Sequence, residues 1–300
     1  MTPYAERIIV LTLTLGTGTF GATGSSTLTM GDPTNAENCL RSLVQIENAP
    51  TPHPGRAIVT VYGLTLDQIN QATIAGILYD GRQNKISIQA GDAQAGVTTI
   101  YNGIVWQAYP KANQPEMPFI MMANPAFIAQ LKPVTPTSFK GPMDGATILG
   151  QLAGQMGVTL ENNSGVTAIL SNPYFAGTTW DQIKAITEAM NCYSTLDAAA
   201  GVLAIWPKNG NRGGSNIPMI SPQTGMIDYP EFQAANIKVR TEFDPGAIYT
   251  PGHQIQVQSQ FTAASGLWTA HKFDVNISCR MPDGPWESAI TAYRAVQGAQ

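Results

Sequence analysis

The residues of this chain that could do chemistry are few and scattered. His53 lies between prolines, His253 follows a Pro-Gly turn, and His271 sits beside a strand pattern. None stands at metal-ligand spacing from another histidine, so each reads as an ordinary polar residue. Cys39, Cys192 and Cys279 are odd in number and far apart, with no Cys-x-x-Cys spacing to hold zinc or run dithiol exchange. They read as small buried side chains of a protein that folds in a reducing compartment. Cutting a glycosidic bond needs two carboxyls across a cleft, and Asp228 with Glu231 or Asp283 with Glu287 are the available pairs. Their default reading is solvated loop acids.

Gly16-Thr17-Gly18-Thr19-Phe20-Gly21 matches the G-x-G-x-x-G fingerprint of a dinucleotide site. The Gly/Ser/Thr-rich, strand-like residues that follow through Met30 leave no helix N-terminus to receive a pyrophosphate, so the run reads as a strand turn. No serine elbow, His-Glu-x-x-His or calcium loop occurs. Asn162-Asn163-Ser164 and Asn276-Ile277-Ser278 have the spacing of glycosylation acceptors, which carries meaning only in a secreted chain. The sequence therefore assigns no catalytic, cofactor-binding or metal-ligating residue and implies no cofactor.

Composition points to surfaces that meet neutral neighbours. Of 300 residues 43% are hydrophobic, enough for substantial cores, but only 12% are charged, against about 25% in an ordinary soluble chain. A net charge of -4 gives no general attraction for nucleic acid, which argues against sequence-specific nucleic-acid binding. Near the N-terminus Glu6 offsets Arg7, and Thr12 and Thr14 alternate with leucines, so the segment reads as a strand rather than a leader peptide. No run reaches the roughly 18 apolar residues of a spanning helix, and the chain reads as soluble and unprocessed.

Three regions are expected. Residues 1–132 read as mostly strand, with segments at Leu43–Ile46, Ile58–Tyr62, Lys85–Gln89 and Ile100–Trp106 separated by turn clusters such as Asp80-Gly81. Thr65 caps a short helix that places Leu66, Ile69 and Thr73 on one side. Residues 133–209 read as a small α/β domain of two repeated units. One helix runs from Asp144 to a cap at Gly157, with Ile148, Leu149, Leu152, Ala153 and Met156 on one face. The other opens at Thr178-Thr179, with Trp180, Ile183, Thr187 and Met190 on one face and Lys184 spaced to pair with Glu188. Strands at Val158–Leu160, Val166–Leu170, Cys192–Leu196 and Val202–Trp206 flank them. Asn209 through Ser215 reads as a flexible linker. Residues 216–300 then carry a strand-turn-strand ladder at Ile237–Phe243, Ile255–Phe261 and Phe273–Cys279, whose strict alternation implies one face packed against something. Trp180, Trp206 and Trp268 and the methionines Met117, Met121 and Met122 are expected in cores.

The order of these segments resembles the central baseplate hub proteins of tailed bacteriophages. The resemblance is carried by Ile58–Asn70 as strand plus short helix, Leu149–Gly157 as first helix of the middle domain, and Val202–Pro207 as its closing strand. Thr224–Ile227, the Pro251-Gly252 turn and the hairpin Ile277–Trp286 resemble the C-terminal module. The resemblance implies a mainly β protein with two tail-tube-like β-barrel or sandwich domains flanking a two-helix α/β domain. It implies a homotrimer forming a pseudo-hexameric ring that connects the tail tube to the central spike. The expected partners are the tail tube protein, the spike protein, the tape measure and other baseplate proteins. It further implies a non-enzymatic virion component assembled in the host cytoplasm and acting until genome ejection. The rival readings are a peptidoglycan-degrading tail enzyme using acidic residues and a carbohydrate-binding or adhesion module using exposed tryptophans.

Overall fold

Period-two alternation becomes paired strands over most of the chain, in a computed structural model that describes residues 6–21, 24–74, 83–112, 116–214, 216–247 and 249–294. The expected turn Asp80-Gly81, the Ala22-Thr23 pair and Ser215 lie outside the described residues. The N-terminal region contributes β1 (Arg7–Thr14), β2 (Thr27–Met30), β3 (Ser42–Asn48), β4 (Arg56–Val61), α1 (Leu66–Ala72), β5 (Lys85–Asp92), β6 (Gly96–Pro110), β7 (Phe119–Asn124) and α2 (Phe127–Leu131). The middle contains β8 (Thr137–Ser138), β9 (Pro142–Asp144), α3 (Gly145–Gln155), β10 (Thr159–Glu161), β11 (Ile169–Ser171), β12 (Tyr174–Phe175), α4 (Thr179–Ala189), β13 (Cys192–Asp197) and β14 (Val202–Pro207). The C-terminal region adds β15 (Met219–Ile220), β16 (Glu231–Gln233), β17 (Asn236–Glu242), β18 (Gln254–Val257), β19 (Gly266–Cys279) and β20 (Trp286–Tyr293).

The architecture is mainly β, as expected, and its two strand-rich regions are continuous. Eleven strands hydrogen-bond side by side in the order β16-β17-β20-β19-β3-β4-β7-β6-β5-β1-β2, all neighbours antiparallel, with β18 and β15 attached at β19. The join is β3 against β19, in register from Asn48 with Phe273 to Ser42 with Cys279. One hydrophobic cluster runs through it, from Ile9 and Leu11 past Val44 and Val59 to Val275, Ile277 and Ile290.

A second cluster lies in the middle region. The α3 face of Ile148, Leu149, Leu152 and Ala153 packs with Trp180, Ile183, Ile186 and Met190 of α4 and its cap over Cys192, Leu196, Leu203 and Ile205 of β13 and β14. Asp144 accepts from the Thr147 amide at the start of α3, and Thr178 with Asp181 forms a capping box at α4. Met156 lies at the rim of this core, and Gly157 leaves α3 with φ 74°.

Several expectations are corrected by packing. The strand expected at Val166–Leu170 does not join the β10-β14-β13 sheet; β11 pairs with β9 instead. Lys184 pairs with Asp181 at 2.8 Å, one turn before it, rather than with Glu188. Ile69 of α1 is buried whereas Leu66 is exposed, because α1 covers the sheet with one narrow edge. In the C-terminal ladder β17 pairs with β20 and β18 with β19, so the first two ladder strands, β17 and β18, are not neighbours. The ladder segment Ile255–Phe261 stops as strand at Val257, and Phe261 is exposed, its ring 4.8 Å from that of Tyr229. Of the methionines expected in the core, Met121 is buried, Met122 half-buried and Met117 exposed.

Candidate functional site

Among the described residues, the groups singled out by sequence lie in several separate places. His53 is exposed in a loop, and His271 is half-buried among the rings of Tyr193 and Tyr293, at 5.5 and 6.0 Å. Among the described residues no three His, Cys, Asp or Glu side chains gather as a metal site. Acids singled out by sequence regroup around Arg240. Asp228 and Glu287 converge on Arg240, at 2.7 and 2.5 Å, a cross-sheet ion pair in which the guanidinium lies between the carboxylates. Hydrogen bonding to Glu287 raises the Arg240 pKa further. The glycine-rich run Gly16–Gly21 forms the turn between β1 and β2, and a Cβ on Gly16 would come within 2.6 Å of the Gln83 backbone. The next described element is the strand β2. Trp180, Trp206 and Trp268 are all buried and offer no platform for a sugar.

The chemically densest site is one that sequence reading passed over. Arg212, in the expected flexible linker, is 2% exposed. Its Nε and Nη2 donate to the two carboxylate oxygens of Glu161 at 2.6 and 2.9 Å, and its Nη1 donates to Asp197 at 3.3 Å and to Thr250 Oγ1 at 3.0 Å. Glu161 ends β10, Asp197 ends β13 and Thr250 precedes the Pro251-Gly252 turn, so one guanidinium ties the middle region to the C-terminal one. Its backbone is held too: the Arg212 N–H donates to Gly252 O at 2.7 Å. Gly252 has φ +91°, and a Cβ there would meet the Arg212 side chain at 2.8 Å and the Trp206 ring at 2.9 Å. Glycine is required for this close approach.

The electrostatics follow from the geometry. The Arg212 guanidinium holds the Glu161 carboxyl below the usual range. Thr250 Oγ1 accepts from Arg212 and lies 2.6 Å from His253 Nδ1, so its own proton is assigned to that nitrogen. This arrangement suits a neutral imidazole. Burial, and then the nearby Arg212 charge, push the His253 pKa down, in agreement. Around the clasp the segment Asn209–Gly214 is anchored further. Tyr293 donates its hydroxyl to Gly210 O at 2.9 Å, Trp206 Nε1 donates to Tyr293 at 3.3 Å, and Ser164 donates to Asn211 O.

A smaller junction joins the middle to the N-terminal region. Thr51 N–H donates to Ser194 O at 2.7 Å, Trp180 Nε1 to Pro52 O at 3.2 Å, and Thr195 to Asn48 Oδ1 at 3.3 Å. A cavity of about 20 Å³, lined by Ile46, Tyr101, Leu196, Phe243 and Phe273, marks where the three regions meet, with space for about one water. A larger open cleft of about 500 Å³ beside β1 and β5 is lined by Thr12, Thr14, Ser87 and Asn102. Its one carboxylate, Asp197, is committed to Arg212. These contacts fix the relative position of three parts of one chain.

A long antiparallel sheet with a small helical region clasped against it is a fold found among phage tail proteins. No family model and no curated protein matches the sequence. Solved structures do. The chain superimposes on a tail protein from Neisseria meningitidis MC58 with a TM-score of 0.62 over 95% of this chain and 96% of that one, at 9% identity. It is similar to the 43 kDa tail protein of prophage MuSo2 from Shewanella oneidensis with a TM-score of 0.63 over 97% of both chains, at 10% identity. An Escherichia coli component of the type VI secretion system, described as similar to tail proteins of bacteriophage T4, matches with a TM-score of 0.53 over 86% of this chain and 74% of that one, at 8% identity. The chain therefore has the fold of these tail proteins. Among the described residues no helix is long and apolar enough to cross a membrane.

Proposed function

We infer that the chain is a structural protein of a phage tail, a non-enzymatic baseplate hub. Its trimer would form a pseudo-sixfold ring between the tail tube and the central spike. The observation that supports this most is the reach of the fold similarity, which takes in nearly the whole of this chain and nearly the whole of two tail proteins. On this reading residues 1–132 and 216–300 are the tube-like parts and 133–209 the intervening α/β part. The partners are the tube, the spike, the tape measure and other baseplate proteins, met in the virion after assembly in the host cytoplasm.

Two features agree with it. The sheet ends in β16 on one side and β2 on the other, and a closed ring is a general way to cover such edges. The C-terminal region also leaves Ile217, Met219, Tyr229, Phe232 and Phe261 exposed on a charge-poor surface, which suits burial under neighbours. The test is a reconstruction of the intact particle with copy number. Three copies on the tail axis between tube and spike are expected, and a position off the axis, or another copy number there, would overturn the reading.

A further inference from the structure

Two of the three cysteines that are far apart in sequence meet in the fold. Cys39 follows the short 3-10 turn Ala36–Asn38, and Cys279 ends β19 on the far side of the chain. Both are buried in one core, at 3% and 1% exposure, and the residue after Cys279, Arg280, reaches the Cys39 carbonyl at 3.5 Å. The Cys279 thiol also faces Arg7 O at 3.3 Å, and the position of a Cβ on Gly31 lies 3.4 Å from Cys39 Sγ and 2.7 Å from Ile9 O, so the β1 backbone borders both sulfurs. Arg280, in left-handed backbone with φ 55°, donates to the carbonyls of Glu37 and Cys39 and clamps the two segments together. Cys192 is the contrast: it is buried in the second core, faces Thr187 O at 3.6 Å, and burial pushes its pKa up to about 11.

We propose that Cys39 and Cys279 form an oxidation-dependent disulfide that staples the N-terminal strands to β19 across the β3–β19 join. With hydrogen peroxide as oxidant, the Cys39 thiolate attacks one peroxide oxygen. The S–O bond forms, the O–O bond breaks, and the departing hydroxide takes a proton to become water. Cys279 then attacks the sulfenic sulfur of Cys39: the S–S bond forms, the S–O bond breaks, and a second water leaves with the thiol proton. Two thiols and one peroxide give one disulfide and two waters, both sulfurs being oxidised. Cys39 is the attacking group, since the neighbouring Cys279 thiol lowers the Cys39 pKa while Cys39, and then burial, raise that of Cys279. The cover over Cys39 is the short turn Ala36–Asn38, held by Asn38 and Thr34 on Asp32.

The experiment treats the purified full chain with hydrogen peroxide or with dithiothreitol, removes the reagent, denatures, alkylates with iodoacetamide and measures intact mass and a non-reducing digest. The reduced chain should take up three alkyl groups, one for each of its cysteines. The oxidised chain should take up one, at Cys192, and yield a peptide linking Cys39 to Cys279 that dithiothreitol splits. Three alkylations after peroxide, separate sulfinic acids at Cys39 and Cys279, a link to Cys192, or a link between chains would each overturn the proposal. Cys39→Ser should retain two alkylatable cysteines after the same peroxide treatment, and the wild-type digest decides the matter if that variant does not fold. The outcome does not depend on the tail reading, which the particle reconstruction tests separately.

Discussion

Arg212 is where a single substitution should do most harm. Removing one partner of a buried charge cluster leaves the others unpaired, typically at a cost of about 3 to 5 kcal/mol. Arg212→Ala strands Asp197 and Glu161, and that loss is expected as a lower midpoint in a urea titration. Arg212→Lys keeps the charge but not the two-oxygen fork on Glu161, so it should fall between wild type and alanine. A wild-type midpoint for the alanine variant would mean that the clasp contributes nothing. The same site predicts a pH dependence. His253 and His271 have pKa values pushed below the ordinary 6.5, both mainly by burial. Between the two values the unfolded chain binds more protons than the folded one, so stability falls as pH drops below that of a free histidine, by up to about 1.4 kcal/mol per pH unit for each group. Glu161 adds a later loss, since its lowered pKa contributes stability that is present above the ordinary carboxylate range and disappears as pH falls through the folded value. Urea midpoints at about pH 7.5 and about pH 5.5 should therefore differ, and His253→Gln, which keeps an acceptor without a titrating ring, should narrow the gap. Equal midpoints at the two pH values would rule this out.

The helices owe their place to one apolar stripe and one cap each. Leu152 is buried between α3, α4 and the small sheet, so Leu152→Ala should cost about 2 to 5 kcal/mol. A change below about 0.5 kcal/mol, the scale of ordinary surface substitutions, would place that face in solvent. Thr178→Ala removes the reciprocal capping box of α4 and should cost about 0.5 to 2 kcal/mol. Lys184→Ala, which removes only an exposed pair with Asp181, should cost less than about 1 kcal/mol. A ranking in which Lys184 outweighs Thr178 would show that the surface pair, and not the cap, sets the helix start.

At the scale of the molecule, the N- and C-terminal strands share one sheet and one core, so they should not unfold independently. Residues 1–132 expressed alone would expose the edge of β3 that β19 covers, and with it Val44 and Ile46. That fragment is expected to associate or remain unfolded, whereas fragments 1–214 and 216–300 expressed together should copurify. A monomeric 1–132 fragment with the far-UV spectrum and thermal midpoint of a folded β protein would contradict this. In the intact chain, hydrogen exchange should protect β3 and β19 to the same extent.

The sequence by itself determined most of the elements, because their signals are local. The Thr65 and Thr178 caps, the α3 stripe ending at Gly157, and the alternation of β3, β5, β17 and β19 each depend on residues a few positions apart. Phe119–Asn124 was missed as a strand, since three of its six residues are Met or Asn, weak strand formers that only its neighbours β4 and β6 hold in place. Which strands pair was not legible either. Antiparallel neighbours are chosen by burial and register across long separations, so β17 reaches β20 and β3 reaches β19 while β17 and β18 part. Arg212 carried only a faint signal, one cation in a run of glycine and asparagine, in a chain with 16 lysines and arginines. Its meaning, like that of Cys39 and Cys279, lies in partners contributed by distant segments. Local propensity fixes where a chain turns, coils or extends, but pairing of charges, thiols and sheet edges is decided only when the tertiary structure brings their partners within reach.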